Sequence, residues 1–449
     1  RERARASHKF VVTSNVSIGL DAQASTEFVG HHCLEQEAKV ARLLVEGKIV
    51  DSIEAGQEAS IVLDTSPFYA EKGGQVGDTG HIAGSGSRFS VTDTVSVPPD
   101  ITVHKGTMIE GTLKTGDSVT AAVEDDRRAD IARNHTATHL LHAALREVLG
   151  EHIQQRGSLV APEHLRFDFS HPGAMTPEEI QNIQRTVNEK IRENHPVTSQ
   201  QTDYKKAVEA GAVALFDEKY GDIVRVMTIG EPSVSTELCG GTHVAGTGEI
   251  GYFHILSEGS IGAGLRRIEA VTGRAAEELI EKRLKSLKNI AELLQSDTDE
   301  VAEKVSHLKN ELAQGEKQLT RLESEKALGE AGELLGRVET IKGVKVLSAR
   351  VAAENQDTMR QMADYFKDKL QSAVIVLGAE SGGRPVFIAA VTDDLVKRGY
   401  NAGNIVREVS KMTGGGGGGK PNFAQAGGRD ASKIDEALQL VKGLVERGD

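Results

Sequence analysis

Two short patterns, His135-Thr-Ala-Thr-His139 and Cys239-Gly-Gly-Thr-His243, lie on either side of the stretch 140–238 of this 449-residue chain. The first puts two imidazoles at i and i+4, one helical turn apart, where both rings reach one ion. The second adds a thiolate and a third imidazole from a turn whose glycines let the backbone fold tightly. Three nitrogens and one sulfur suit tetrahedral Zn²⁺, one ion per chain. If one ion takes all four, the fold must carry the helix around 135 up to the turn around 239. Four protein ligands also fit a closed structural zinc, whereas a catalytic zinc keeps a position open; both readings stand at this stage. His142 shares the helix face and reads as a structural neighbour. The chain has two cysteines, Cys33 and Cys239, so a disulfide scaffold is excluded and a reducing compartment is expected. Cys33 is given no role.

The periodicity changes along the chain. From about Phe10 to Val123, short apolar runs such as Ser60-Ile61-Val62-Leu63 alternate with Gly, Asp and Pro punctuation, which predicts a small β-barrel or sandwich. From Asp125 one apolar stripe (Ile131, Leu140, Leu141, Ala144, Leu145, Leu149) predicts a helix stopped at Gly150. A helix is expected near Pro177–Asn194, with strands near Ile223–Ile229 and Gly251–Ser257. Between Ala275 and Leu328, leucines recur at helical spacing, with a break at Ser296-Asp297. Asp297 and Glu300 form an N-cap and N3 pair there, and a helical hairpin or coiled coil follows, either a spacer arm or a dimer seam. Beyond Gly343 strands and helices alternate in a small α/β domain, interrupted by the low-complexity run Gly414–Gly419.

Composition excludes several classes. With 38% hydrophobic and 27% charged residues the chain is a globular protein rather than a disordered one. No apolar run is long enough to span a bilayer. The net charge of −13 argues against one broad nucleic-acid surface. Between Lys397 and Lys433, however, seven basic residues stand against two acidic ones, a local place for phosphate contacts or an ordinary solvated surface. Lys411, Lys420 and Arg429 flank the six glycines there, whose bare amides can approach phosphates. The loop Thr65–Gln75 ends in Gly-Gly-Gln, where Gln75 either holds a ligand hydroxyl or sits exposed on a hairpin turn.

NHTATHLLHAAL from Asn134, ELCGGTHV from Glu237, FYAEKGGQVGDTG from Phe68 and GAGLRRIEAVTG from Gly262 resemble the editing domain of the alanyl-tRNA synthetase family. GGGGGGKPNFAQAGG from Gly414 resembles that family's C-terminal domain, and RERARA at the start resembles the segment after its tRNA-recognition region. The resemblance implies an α+β protein. Its parts would be a small β-barrel (1–125), a zinc-containing α/β editing core (126–273), a helical hairpin or coiled-coil arm (274–335) and a C-terminal α/β domain for tRNA binding or dimerisation (336–449).

By resemblance, His135, His139, Cys239 and His243 are zinc ligands, Gln75 is the editing-pocket glutamine that holds reacting oxygens, and Arg266 and Arg267 contact the tRNA acceptor end. Their alternative is a surface salt bridge with Glu269 or another acid. Lys72 departs from the serine of many relatives. The implied reaction is hydrolysis of Ser-tRNA(Ala) and Gly-tRNA(Ala), needed because a pocket sized for alanine rejects glycine and serine poorly. Neither a P-loop nor class II synthetase motifs are recognisable, so ATP and alanine activation are expected only of a part outside this chain. The opening residues read as the middle of a longer protein's charged helix. The expected partners are tRNA(Ala) and a second copy of the chain, through the coiled coil or the C-terminal domain, with no membrane. The expected compartment is the cytoplasm, or an organellar matrix. The alternatives are a freestanding trans-editing deacylase, a non-catalytic tRNA-binding or dimerisation module with structural zinc, and an unrelated zinc hydrolase, against which the C-terminal domain argues.

Overall fold

The computed structural model describes residues 25–98, 100–214, 221–352 and 356–448, so the opening RERARA lies outside the described residues. It is a mixed α+β structure that divides into two compact units, Arg1–Leu287 and Lys288–Asp449.

The first unit begins with a closed barrel of six antiparallel strands. Glu35–Val45, Glu58–Leu63, Ile101–Glu110, Ser87–Val97, Gly80–Gly84 and Ser118–Val123 follow one another round the ring, and the last pairs back onto the first. Alternation fills the interior with Val40, Ile61, Leu63, Ile82, Phe89, Met108 and Val119. The loop from Thr65 to Thr79 leaves the barrel and carries Gly-Gly-Gln. It is fixed to the rest of the unit at several points. Val160 N–H donates to Gly74 O (2.7 Å) and Val76 N–H to Val160 O (3.1 Å). The buried Arg128 guanidinium pairs with Asp78 and donates to Gly30 O and Pro67 O. Removing one partner of so buried a pair costs about 3–5 kcal/mol.

The helix Asp125–Leu149 ends at Gly150 as its sequence predicts. Its burial differs from the single stripe expected: every residue from Asn134 to His142 is buried. The helix threads through the unit rather than lying on it. It packs with the helix Pro177–Arg192, which a Thr176–Glu179 capping box starts, on a four-stranded antiparallel sheet. That sheet is Gln155–Val160, Leu165–Ser170, Leu265–Val271 and His254–Gly262, in that order. Leu140, Leu141, Leu145, Phe167, Phe169, Val187 and Ile268 form the core between them. A second sheet of Val197–Asp203, Ile223–Ile229 and Ser235–Leu238 ends at Cys239, and the helix Gly273–Leu294 follows.

In the second unit, the helix Val301–Leu334 precedes a six-stranded sheet. Asp297 makes no side-chain cap bond: a 3-10 turn, Thr298–Glu300, intervenes before the helix, so the expected capping pair is not formed. The sheet order is Glu339–Ile341, Val344–Arg350, Ala373–Ser381, Arg384–Val391, Phe423–Gly427, Gly416–Lys420. Helix Gln356–Leu370 covers one face with Met359 and Phe366, and helices Ala402–Lys411 and Ile434–Arg447 cover the other with Ile405, Val409 and Val441. Covered on both sides, Ala373–Ala379 is an unbroken apolar run. Most of the glycine run is thus no insert but an edge strand, Gly416–Lys420, paired with Phe423–Gly427. No helix among the described residues is long and apolar enough to cross a membrane.

Candidate metal centre

The four expected ligands come together. One donor atom from each of His135, His139, Cys239 and His243 lies within 4.8 Å of the others. Cys239 Sγ sits 3.3 Å from Nε2 of both His135 and His243, the length of an edge in a tetrahedron around a zinc-sized ion. His139 Nε2 is buried and has no hydrogen-bond partner. A buried orphan of this kind requires an explanation, and a metal in the cage supplies one. Burial alone would raise the Cys239 thiol, but His135 and His243 outweigh it and hold the thiol well below its ordinary value, so the thiolate that zinc needs is favoured.

Each imidazole is held from behind by its other nitrogen. His135 Nδ1–H donates to Gln75 Oε1 (2.7 Å). His139 Nδ1–H donates to Glu237 Oε2 (2.6 Å). Thr136 Oγ1 spends its proton on Ala132 O and faces His243 Nδ1 at 3.2 Å. All three Nε2 atoms are thereby turned to the centre, the arrangement that fixes the tautomer of metal-binding histidines. Glu237 also accepts from His142 Nδ1–H (2.9 Å) and from Ser235 Oγ. Burial would raise this carboxyl; His139 and His142 outweigh it and keep it below the carboxylate range. The turn itself is clamped by Arg225, whose Nη1 donates to Cys239 O (3.1 Å) and Gly241 O (2.8 Å).

Gln75, the amide expected to hold reacting oxygens, is engaged by protein groups. It is fully buried. Its Oε1 also accepts from Thr242 N–H, and its Nε2 donates to Thr242 Oγ1, both at 3.0 Å. Its polar atoms thus serve His135 and the turn Cys239–His243. Lys72, by contrast, lines the neighbouring cavity, about 460 Å³, on whose wall His135, His139 and Cys239 lie with Tyr69 and Ser158.

The basic candidates divide into two groups. Arg266 is locked on Glu258 (2.5 and 2.7 Å) and Arg267 on Asp168 (2.6 and 2.8 Å), so the acids are these two and not Glu269. Lys411 pairs with Glu408. Lys420 and Arg429 are exposed on the glycine strand and just beyond its partner strand. Sequence reasoning missed Glu237, Thr136, Thr242 and Arg225. Glu237 carried a signal, a carboxylate two residues before a candidate thiolate ligand.

Residues 1–127 match the family described as "tRNA synthetases class II (A)", a match the sequence reading did not anticipate. Residues 224–269 match "Threonyl and Alanyl tRNA synthetase second additional domain", and 343–447 match "DHHA1 domain". Alanine–tRNA ligase of Dehalococcoides mccartyi (strain CBDB1) is 52% identical over 449 residues, 99% of this chain and 52% of that protein. The Chloroflexus aurantiacus ligase is 45% identical over 98% of this chain and 50% of its own length. The C-Ala domain of Aquifex aeolicus alanyl-tRNA synthetase aligns at a TM-score of 0.23 with 26% identity, over 24% of this chain and 97% of that one. The chain spans about half the length of the curated relatives it matches, and over that span it belongs to the alanine–tRNA ligase family.

Proposed function

We propose that this chain hydrolyses the ester of mischarged Ser-tRNA(Ala) and Gly-tRNA(Ala) at a zinc site formed by His135, His139, Cys239 and His243. The observation that carries this reading is a four-donor cage, three of whose members, His135, His139 and Cys239, lie on the wall of a cavity of about 460 Å³. Bound zinc would supply Lewis-acid polarisation of an ester carbonyl or of a water. Gln75, Glu237 and Thr136 hold the imidazoles in register, and Arg225 holds the turn. The Ser158 hydroxyl on the cavity wall offers the serine side chain a partner that alanine's methyl cannot use. Incubating the chain with seryl-, glycyl- and alanyl-tRNA(Ala) without ATP tests this. Hydrolysis of the first two and sparing of the third is expected; equal rates for all three would defeat the editing claim. A second reading, structural zinc in a binding module, is favoured by the count of ligands, since four protein donors fill a tetrahedron. Metal analysis combined with the same assay separates the two.

We further propose that the C-terminal unit binds tRNA through Lys420 and Arg429, and that a second copy pairs along Val305, Leu308, Leu312, Leu319 and Leu322. These side chains are 41–65% exposed on the helix Val301–Leu334 at heptad spacing. An antiparallel pair would set Lys304 beside Glu325 and Lys309 beside Glu316 of the second copy. A parallel pair would set Lys304 against Lys309 and Glu311 against Glu316. Charge therefore favours the antiparallel dimer. Sedimentation of Leu308→Glu at micromolar concentration tests it; an unchanged mass would remove the seam.

A further inference from the structure

Next to the metal cavity lies a larger one, about 880 Å³, and the two share Gly73, Gln155 and Ser158 as walls. A chain leaving the metal cavity past these residues enters the second. Its walls carry Arg146, Arg156 and Arg166 against a single acid, Glu151, in a molecule whose net charge is −13. Arg146 is paired with Glu151. The exposed Arg156 has only Gln154 Oε1, at 2.6 Å. Arg166 Nε is buried without a hydrogen-bond partner; its nearest carboxylate oxygen, Asp168 Oδ2, is 3.7 Å away and already holds Arg267. His142, 2% exposed, is on the same wall. Its Nδ1 proton is committed to Glu237, and its buried Nε2 has no partner. Two buried polar atoms thus wait unsatisfied beside one groove, each at a cost of about 1–3 kcal/mol. None of the groups named so far accounts for them.

We propose that this groove binds the ribose–phosphate backbone of the single-stranded RNA segment that precedes the aminoacylated 3′-terminal adenosine. The guanidiniums of Arg156 and Arg166 take phosphate oxygens, with Arg146 adding charge. His142, whose Nδ1 lies on Glu237 Oε1, leaves its Nε2 unpartnered beside the groove, where a ribose 2′-hydroxyl takes it as hydrogen-bond partner. Phosphates supply affinity and the 2′-hydroxyl marks the strand as RNA. The assignment rests on the deacylase reading for the direction in which the strand runs.

The test compares Arg156→Gln and Arg166→Gln with the unaltered 449-residue chain on two substrates, a seryl-minihelix and seryl-adenosine, which has no phosphate. Each variant is expected to raise KM for the minihelix by about tenfold, the loss of one charge-assisted hydrogen bond, while hydrolysing seryl-adenosine at the unaltered rate. Anisotropy with the uncharged minihelix should show weaker binding and a salt slope lower by about 0.7 for each phosphate the variant no longer holds. A minihelix with deoxyriboses at the nucleotides before the terminal adenosine should bind several-fold more weakly. Unchanged KM, affinity and slope in both variants would overturn the groove, and indifference to the deoxyriboses would overturn the role of His142. If the unaltered chain hydrolyses neither substrate, the deacylase reading fails, while anisotropy still decides whether the groove holds RNA.

Discussion

The turn Cys239–His243 and the run Gly414–Gly419 are both glycine clusters, and the structure uses them in opposite ways. At the turn, the absent Cβ makes room for distant side chains: a Cβ on Gly241 would collide with the His135 ring and lie 2.8 Å from Gln75 Oε1. In the run, the absent Cβ atoms make room for backbone, and only at every second residue. A Cβ on Gly415 or Gly417 would collide with Gly427 O or Gln425 O, and one on Gly419 would lie 2.6 Å from Ala424 Cα. Gly416 has nothing within 4 Å, and Gly418 meets only the end of Arg407 at 3.7 Å. The alternation is that of a strand, written in absences rather than in side chains. One cluster is built around a site and the other around a sheet edge.

The largest expected effect tests the first half of this contrast. Cys239→Ala removes the only thiolate of the cage and should abolish stoichiometric zinc, read by elemental analysis of protein purified without chelator. Gly241→Ala should also lower zinc affinity sharply, whereas Gly240→Ala, with open space around its Cβ, should not. Equal effects at the two glycines in a chelator competition would break the claim that one of them was chosen for His135.

The second half predicts an odd–even pattern in stability. Gly417→Ala should destabilise the C-terminal sheet by about 2–3 kcal/mol, the range of strained or overpacked substitutions. Gly416→Ala should stay within about 0.5 kcal/mol. Chemical denaturation of the two variants reads the difference directly; similar midpoints would mean that the run tolerates side chains and is merely a spacer. Smaller again is Gln75→Ala. It leaves His135 Nδ1 without its acceptor and should cost about 10–100-fold in zinc affinity. A loss of rate with zinc affinity intact would instead return Gln75 to the role of holding a reacting oxygen.

These contrasts also mark how far the sequence could be read. The helix Asp125–Leu149 announced itself through Ile131, Leu140, Leu145 and the stop at Gly150, and the four clustered donors through spacing, because both are local patterns. Glu237 stands beside Cys239, yet its partner His139 lies on another element, and nothing local says which way its carboxylate turns. Gln75 and His135 each stood out in the sequence but their pairing did not, for the same reason: the contacts of Gln75 are His135 and Thr242, both remote in sequence. The strand Gln155–Val160 is short, interleaved with Arg, Gly and Ser, and shows too little alternation to stand out, whereas Leu165–Ser170 alternates Leu-Arg-Phe-Asp-Phe-Ser and was legible in principle. The glycine strand has no side-chain pattern at all. Its strand character comes from its partner Phe423–Gly427 and from helix Ala402–Lys411, where a Cβ on Gly403 would sit 3.0 Å from Gly419 O.

The two sets of basic residues that could meet tRNA give the finest test. Arg266 and Arg267 stand on a central strand, each with two hydrogen bonds to one carboxylate, so a phosphate could recruit them only by displacing Glu258 or Asp168. Arg267→Gln leaves the largely buried Asp168 with Arg166 at 3.7 Å as its remaining cation, and should show chiefly as lost stability, about 1–2 kcal/mol. Lys420 and Arg429 have no such carboxylate among the described residues, and Lys420→Gln with Arg429→Gln should leave the melting temperature alone. The same double change should weaken tRNA binding several-fold at low salt and less at high salt, because exposed cations act through released counterions. Titrating labelled tRNA at three salt concentrations against both variants separates the cases. If Arg267→Gln lowers affinity while keeping full stability, its ion pair opens for RNA, and the basic edge of the glycine strand loses its claim.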